Sequence, residues 1–108
     1  MSEAALREIF AQLESNFQEG ALDRDISYYF SFGDGPAEKW TVRLGPQVCE
    51  VREGKHIDQA DCVVKTTSEF LLKIISDGYV PGIMDFVQGK IKSNDPFLLK
   101  DLKKAIGI

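Results

Sequence analysis

The sequence of 108 residues is poor in metal-binding and redox-active side chains. It contains one histidine and two cysteines, and the cysteines are not spaced as Cys-x-x-Cys. Zinc sites and redox-active dithiols need such ligands close together, so neither a metal nor a cofactor is expected. Cys49 and Cys62 fall in strand-like runs, which favours two buried free thiols over a disulfide. His56 lies in a polar turn, where a structural or solvated role is expected.

Motifs of nucleophilic and nucleotide-dependent catalysis are also missing. The chain has no Gly-x-Ser-x-Gly motif and no Gly-x-x-x-x-Gly-Lys-Ser/Thr motif. Gly33-Asp34-Gly35 lacks the third glycine of a dinucleotide-binding loop. The sequence therefore predicts a protein that is not an enzyme.

The chain has no excess of basic residues, because its formal net charge is −4. Nucleic-acid binding needs clustered lysine and arginine, so this class of partner is not expected. Residues 1–89 are acidic overall, whereas residues 90–108 carry five lysines and two aspartates. No apolar run approaches the ~20 residues of a membrane span, and the first residues do not resemble a signal peptide. We therefore expect a soluble, cytoplasmic domain.

The apolar pattern of the first 65 residues predicts one helix and then strands. Helical spacing from Leu6 to Phe17 predicts an amphipathic helix that ends near Gly20. Alternating side chains then predict short strands joined by tight loops, one of them from Gly33 to Pro36, in an antiparallel meander. The three strands of the meander are expected over residues 27–32, 39–44 and 48–52, and residues 62–65 predict a fourth strand.

After residue 65 the apolar residues recur at helical spacing. Thr66 and Glu69 have the spacing of a capping box, and a further helical piece follows Pro81. Lys90-Ile91-Lys92 predicts an edge strand, and Asp95-Pro96 predicts the N-cap and first-turn proline of a last helix. The pattern therefore predicts an α+β fold in a single domain, residues 1–108, with a mainly antiparallel five-stranded sheet covered by helices.

The C-terminal third is rich in long apolar side chains, and composition leaves their role open. Apolar helical stripes usually pack into a core. A flexible methionine beside an aromatic ring, as at Met84 and Phe86, suits either a gap in that core or an adaptable cavity wall. Residue types alone do not separate a filled interior from a ligand cavity.

Two motifs stand out in the second half of the sequence. The first runs from Ala60-Asp61-Cys62 to Phe70-Leu71-Leu72, and the second is Phe86-Val87-Gln88-Gly89-Lys90-Ile91-Lys92. Together they resemble the signature of the sterol carrier protein-2 domain family. Length and element order agree with the family over essentially the whole chain. The resemblance implies helices over one face of the sheet with an apolar tunnel between them. It also implies non-enzymatic binding of sterols or isoprenoids, fatty acids, acyl-CoA or phospholipids.

Carried onto this sequence, the resemblance places Phe70, Phe86 and Ile91 at apolar motif positions that line or support the tunnel, and Gly89 in a turn. The apolar faces around these positions complete the expected lining. The expected ligand-binding residues are Phe70, Leu71, Ile74, Ile75, Ile83, Met84, Phe86, Val87, Ile91, Phe97, Leu98, Leu102 and Ile106.

The last helix is expected to cover the tunnel and to present Lys100, Lys103 and Lys104 to anionic membrane headgroups. Such attraction contributes about 1 kcal/mol per lysine near an anionic surface. A solvated charged face is the alternative for these lysines. For the whole domain, the predicted function is lipid binding with transfer or presentation. The alternative is an accessory or scaffold module of a lipid or quinone biosynthesis complex with little or no cavity.

Overall fold

Strands and helices follow one another in the order that the sequence predicts. The structure is a computed structural model and describes residues 3–33 and 38–107, so most of the predicted loop from Gly33 to Pro36 lies outside the described residues. The elements are α1 (Glu3–Ser15), β1 (Ile26–Ser31), β2 (Lys39–Leu44), β3 (Cys49–Glu53), β4 (Cys62–Thr66), α2 (Ser68–Asp77), α3 (Ile83–Val87), β5 (Ile91–Ser93) and α4 (Leu98–Ala105).

The sheet has the strand order β3-β2-β1-β4-β5 and is mixed. The meander β1-β2-β3 is antiparallel as predicted, and β5 pairs antiparallel with β4 at the edge. In contrast, β4 runs parallel to β1, with Tyr28 opposite Cys62. Beside this pair, the carboxylate of Asp61 accepts hydrogen bonds from the amide and hydroxyl of Ser27 at 2.9 and 3.1 Å. The prediction of a mainly antiparallel sheet is thus corrected by one central parallel pair.

One face of the sheet forms the core, because alternate side chains of its strands are apolar. Phe30 and Trp40 are paired across β1 and β2 and are both buried. Phe10 of α1 stacks on Trp40 with ring centroids 4.5 Å apart and meets Phe30 edge-on at 5.5 Å. The inward faces of α2 and α4 belong to the same buried cluster. The helices therefore cover this face, as the resemblance implied.

Helix α2 begins one residue later than the capping-box spacing predicts. The N-cap is Thr67, whose hydroxyl accepts a hydrogen bond from the amide of Phe70 at 3.1 Å. Thr66 ends β4, and its hydroxyl donates to the carbonyl of Lys90 at 2.8 Å. The strand thus extends through the residue that was expected to cap the helix. The helix ends at Gly78, whose φ of 68° is the left-handed conformation that glycine adopts without strain.

Helix α4 also starts later than predicted. Asp95 and Pro96 form a tight turn in which their carbonyls accept from the amides of Leu98 and Leu99 at 3.2 and 3.1 Å. Phe97 therefore precedes the helix and lies 74% exposed. Within the described chain, the helices are too short or too polar to cross a membrane.

Candidate functional site

The apolar residues that were expected to line a tunnel divide into two groups in the structure. The larger group lies in the core, where its members are at most 9% exposed. Among residues 3–33 and 38–107 the structure does not show the predicted tunnel, and the apolar sides of α2 and α4 lie in the same buried cluster as the sheet. The core members of the predicted lining are Leu71, Ile74, Ile75, Ile91, Leu98, Leu102 and Ile106.

The second group is less buried, and its exposed members lie at α3 and just before α4. Ile83 is 82% exposed, Val87 71%, and Met84 61%. Phe70 and Phe86 are half-buried and pack against the edge of the core. Moving large apolar side chains out of water lowers the free energy. A cluster of exposed apolar side chains is therefore typical of a binding surface.

An open groove lies between α3 and the segment that precedes and begins α4, and we call it the apolar groove. Its volume is about 360 Å³. It is lined by Val80, Pro81, Gly82, Ile83, Phe86, Pro96, Phe97, Leu99, Lys100 and Lys103. A larger groove of about 430 Å³ beside β1 and β2 is less suited to an apolar ligand, since Asp25, Arg43, His56 and Asp61 all contribute to its lining.

Asp85 positions the α3 side of the apolar groove. This residue is 8% exposed, and its carboxylate accepts a hydrogen bond from the amide of Gly82 at 2.9 Å and another from the hydroxyl of Tyr79. The hydrogen bond from Tyr79 is the main cause that lowers the pKa of Asp85, and the same bond raises the pKa of Tyr79. The carbonyl of Asp85 also accepts from the amide of Lys90 at 2.9 Å. One side chain thus joins the loop before α3 to the helix itself.

Among the polar contacts that attach α4 to the rest of the fold, two hydrogen bonds involve residues at or next to the lining of the apolar groove. The hydroxyl of Tyr28 donates to the carbonyl of Leu98 at 2.6 Å. The ammonium group of Lys103 donates to the carbonyl of Gly78 at 2.8 Å, which joins α4 to the end of α2. Both walls of the groove are therefore fixed by polar contacts beneath an apolar lining.

The three lysines predicted to contact membranes have different surroundings. Lys103 contacts the Gly78 carbonyl and is half-buried. The ammonium of Lys100 lies 5.5 Å from the ring centroid of Phe97, at the rim of the apolar groove. Lys104 is exposed. Two of the three lysines are thus exposed to the surrounding medium.

The described residues offer little for nucleophilic or metal chemistry. Among them, no group of three or more histidine, cysteine, aspartate or glutamate side chains could hold a metal ion. A ring nitrogen of His56 lies 2.7 Å from the carbonyl oxygen of Glu53. Both thiols are free, and burial raises the pKa of Cys49 to about 11 and also raises the pKa of Cys62.

The sequence did not predict Tyr79, Val80 and Asp85 as parts of this site. A signal for Asp85 was present, because it lies three residues after Gly82, the spacing of an N-cap and a residue that bonds back to it. Val80-Pro81 was interpreted as a connection between helices. Helical periodicity does not predict the exposure of side chains in such a connection.

No family model matches the chain, and no curated protein sequence matches it. Solved structures do match. A stereoselective inverting sec-alkylsulfatase from Pseudomonas sp. superposes with a TM-score of 0.66 at 22% identity over 81% of this chain. This chain spans only 14% of the length of that enzyme.

Two further matches cover most of both chains. Sterol carrier protein 2 like 2 from Aedes aegypti gives a TM-score of 0.53 at 18% identity, over 94% of this chain and 93% of its own. The sterol carrier protein domain 2 of Helicoverpa armigera gives 0.51 at 20% identity, over 77% and 70%. At these identities the likeness is one of fold, and the resemblance stated from the sequence is confirmed at that level.

Proposed function

We propose that this domain, which has the fold of the sterol carrier protein 2 domains, binds the apolar part of a lipid in the apolar groove. The observation that carries the proposal is the exposure of Val80, Ile83 and Phe97, which line a groove whose walls are fixed by polar contacts. A preformed concave apolar site with a few polar groups at its rim is the usual architecture of a small-molecule site.

The size of the groove sets the expected affinity. Its volume of about 360 Å³ is near the lower end of the ~300–1,000 Å³ range of small-molecule sites. Each buried methylene contributes about 0.8 kcal/mol, whereas association costs about 4–15 kcal/mol. An acyl chain that is only partly covered should therefore bind weakly, in the micromolar range or above. Apolar contact discriminates poorly between neighbouring chain lengths, so we expect a permissive binder.

The chemical class of the ligand is supported by the matched structures. The Aedes aegypti and Helicoverpa armigera proteins are named as sterol carriers. Sterols or isoprenoids, fatty acids, acyl-CoA and phospholipids all carry apolar parts that the groove could contact. Because the groove is open to solvent, a bound ligand would remain partly exposed, which suits transfer or presentation and needs no catalytic group.

A second candidate function is docking on an anionic lipid surface. Lys100 and Lys104 are exposed, and Lys100 adjoins the exposed ring of Phe97. An apolar ring flanked by lysines is an arrangement found at interfacial anchors. Two lysines contribute only about 2 kcal/mol at an anionic surface, so this contact would be transient and would bring the groove to its ligand.

The experiment is displacement of anilinonaphthalene sulfonate from the chain by dodecanoate, followed by fluorescence. The test variant is Ile83→Gln with Phe97→Gln, and the control is Val48→Gln, which alters an exposed apolar residue outside the groove. Loss of two apolar contacts should weaken dodecanoate binding about tenfold or more. The control should stay within about twofold, because surface substitutions elsewhere change little.

Equal affinity in the test variant and the control would overturn the proposal. Circular dichroism and the melting temperature of each variant show whether it is folded. The scaffold alternative has its own outcome: a chain that binds neither probe nor dodecanoate, although it is folded, supports an accessory module and contradicts a carrier.

A further inference from the structure

A second groove, at the edge of the sheet where β1 and β4 end and β2 and β5 begin, is strongly basic. Its volume is about 400 Å³. We call it the lysine groove; it is lined by Ser31, Phe32, Gly33, Lys39, Lys65, Thr66, Thr67, Gly89, Lys90 and Lys92. Four of these described lining residues are lysines and none is acidic, in a chain whose net charge is −4.

The register of the sheet produces this concentration of charge. Ser31 is paired with Lys39 on β2 and with Lys65 on β4, and Lys65 is paired with Lys92 on β5. Paired residues point to the same face. Three lysines and one serine therefore form a single row across four neighbouring strands.

This row is unfavourable without a partner of opposite charge. Like charges directly opposite each other in a sheet are destabilising, and Lys65 and Lys92 are such a pair. The ion pairs found among the described residues join Arg7 to Glu53, Arg24 to Asp101 and Arg52 to Glu50, so they do not neutralise the groove. A bound anion would remove the repulsion.

The two ends of the lysine groove differ. At one end the ammonium of Lys39 donates to the hydroxyl of Ser31 at 2.6 Å and to the carbonyl of Gly33, and the carboxylate of Glu38 packs against Gly33. At the other end Lys65, Lys90 and Lys92 are exposed. Thr67, the N-cap of the ten-residue helix α2, is also there, and the helix dipole adds positive potential. The second end is therefore the more favourable position for an anion.

We propose that the lysine groove binds a phosphate-type oxyanion carried by a small molecule, with Lys65, Lys90 and Lys92 as its charged donors. Lysine ammonium groups suit such a ligand because they are compact charges that donate several hydrogen bonds to phosphate oxygens. This site is separate from the apolar groove, since the two share no lining residue. It is an anion site on a domain whose proposed ligand is apolar.

The test is NMR titration with inorganic pyrophosphate at constant ionic strength, read on the side-chain resonances of the lysines. The test variant is Lys65→Gln with Lys92→Gln, and the control is Lys55→Gln with Lys73→Gln, which removes the same charge from exposed positions outside the groove. Because hydrogen bonds to charged groups are stronger than those between neutral groups, the test pair should weaken pyrophosphate binding at least about tenfold. The control pair should weaken it no more than about twofold, because exposed charges at a distance are screened.

Three results would overturn the proposal. They are the absence of any response of the wild-type chain to pyrophosphate, equal weakening by the two variant pairs, and a response confined to lysines outside the groove. Vesicles of phosphatidylcholine with and without phosphatidic acid form a second arm. Binding to the anionic vesicles without any response to pyrophosphate would assign the groove to a lipid surface and contradict a small-molecule anion. The melting temperatures of both pairs confirm that each variant is folded.

Discussion

The hydroxyl of Tyr28 donates a 2.6 Å hydrogen bond to the backbone carbonyl of Leu98. Tyr28 is fully buried in β1, and Leu98 is the first residue of α4, between two residues that line the apolar groove. Burial raises the pKa of Tyr28 well above its ordinary value, so the hydroxyl stays protonated and able to donate. The centre of the sheet therefore holds one wall of the proposed site.

Tyr28→Phe should destabilise the fold by about 1–2 kcal/mol, because the Leu98 carbonyl loses its buried side-chain donor. Urea denaturation followed by circular dichroism measures this loss. Tyr29→Phe is the matched control, since Tyr29 is half-buried on the opposite face of the sheet. Its stability should change by no more than about 0.5 kcal/mol. Equal losses in the two variants would show that the bond to α4 contributes nothing specific.

Truncation should separate the core residues from the groove residues. Leu102→Ala should cost about 2–5 kcal/mol, because Leu102 is fully buried and its removal leaves a cavity. Ile83→Ala should change stability by no more than about 0.5 kcal/mol, because Ile83 is already exposed to water. Thermal and urea unfolding measure both values. A Leu102→Ala variant as stable as the wild type would indicate empty space around that side chain and contradict a filled core.

Asp85→Ala should loosen the α3 wall of the apolar groove. The variant loses the bonds from Gly82 and Tyr79, which hold the loop before the helix. Hydrogen exchange should accelerate at the amides of Asp85, Gln88 and Lys90, and dodecanoate should bind more weakly. Asp77→Ala, an exposed change near the end of α2, is the control. Unchanged exchange at these amides in Asp85→Ala would rule out a positioning role.

Stability should fall at alkaline pH. The pKa of Cys49 is raised to about 11, and the pKa values of Cys62 and Tyr28 are also raised, mainly by burial. Because the folded-state pKa values exceed those of the unfolded chain, the stability that these groups contribute is complete below the unfolded values, about 8.5 for cysteine and 10 for tyrosine. It is lost as the pH rises through the folded values.

The free energy of unfolding should therefore be level between about pH 6 and 8 and decline above about pH 9. In a Cys49→Ala, Cys62→Ala variant the decline should start nearer pH 10, where only Tyr28 contributes among the three groups. Urea denaturation across this range measures the profile. A wild-type stability that increases above pH 9 would contradict the burial of these groups.

The sequence predicted the fold better than it predicted the site. The alternation of apolar and polar side chains in strands and their helical spacing in helices reflect which side of each element is buried. These two patterns located every element within a few residues. The parallel placement of β4 beside β1 was not predicted, because it is a pairing between distant parts of the chain, which local periodicity does not encode. Periodicity also treated Leu102 and Ile83 alike, although one is buried and the other exposed. Helix α3 is only five residues long, so its spacing could not show which side faces the core.

The central claim is that an acyl chain binds on the surface between α3 and α4. The most direct measurement is an isotope-filtered NOESY spectrum of the labelled chain with unlabelled dodecanoate. Contacts from the ligand methylenes to the methyl groups of Val80 and Ile83 and to the ring of Phe97 are predicted. Contacts confined to Leu71, Ile74 and Leu102 would place the ligand in the interior and contradict the apolar groove as the binding site.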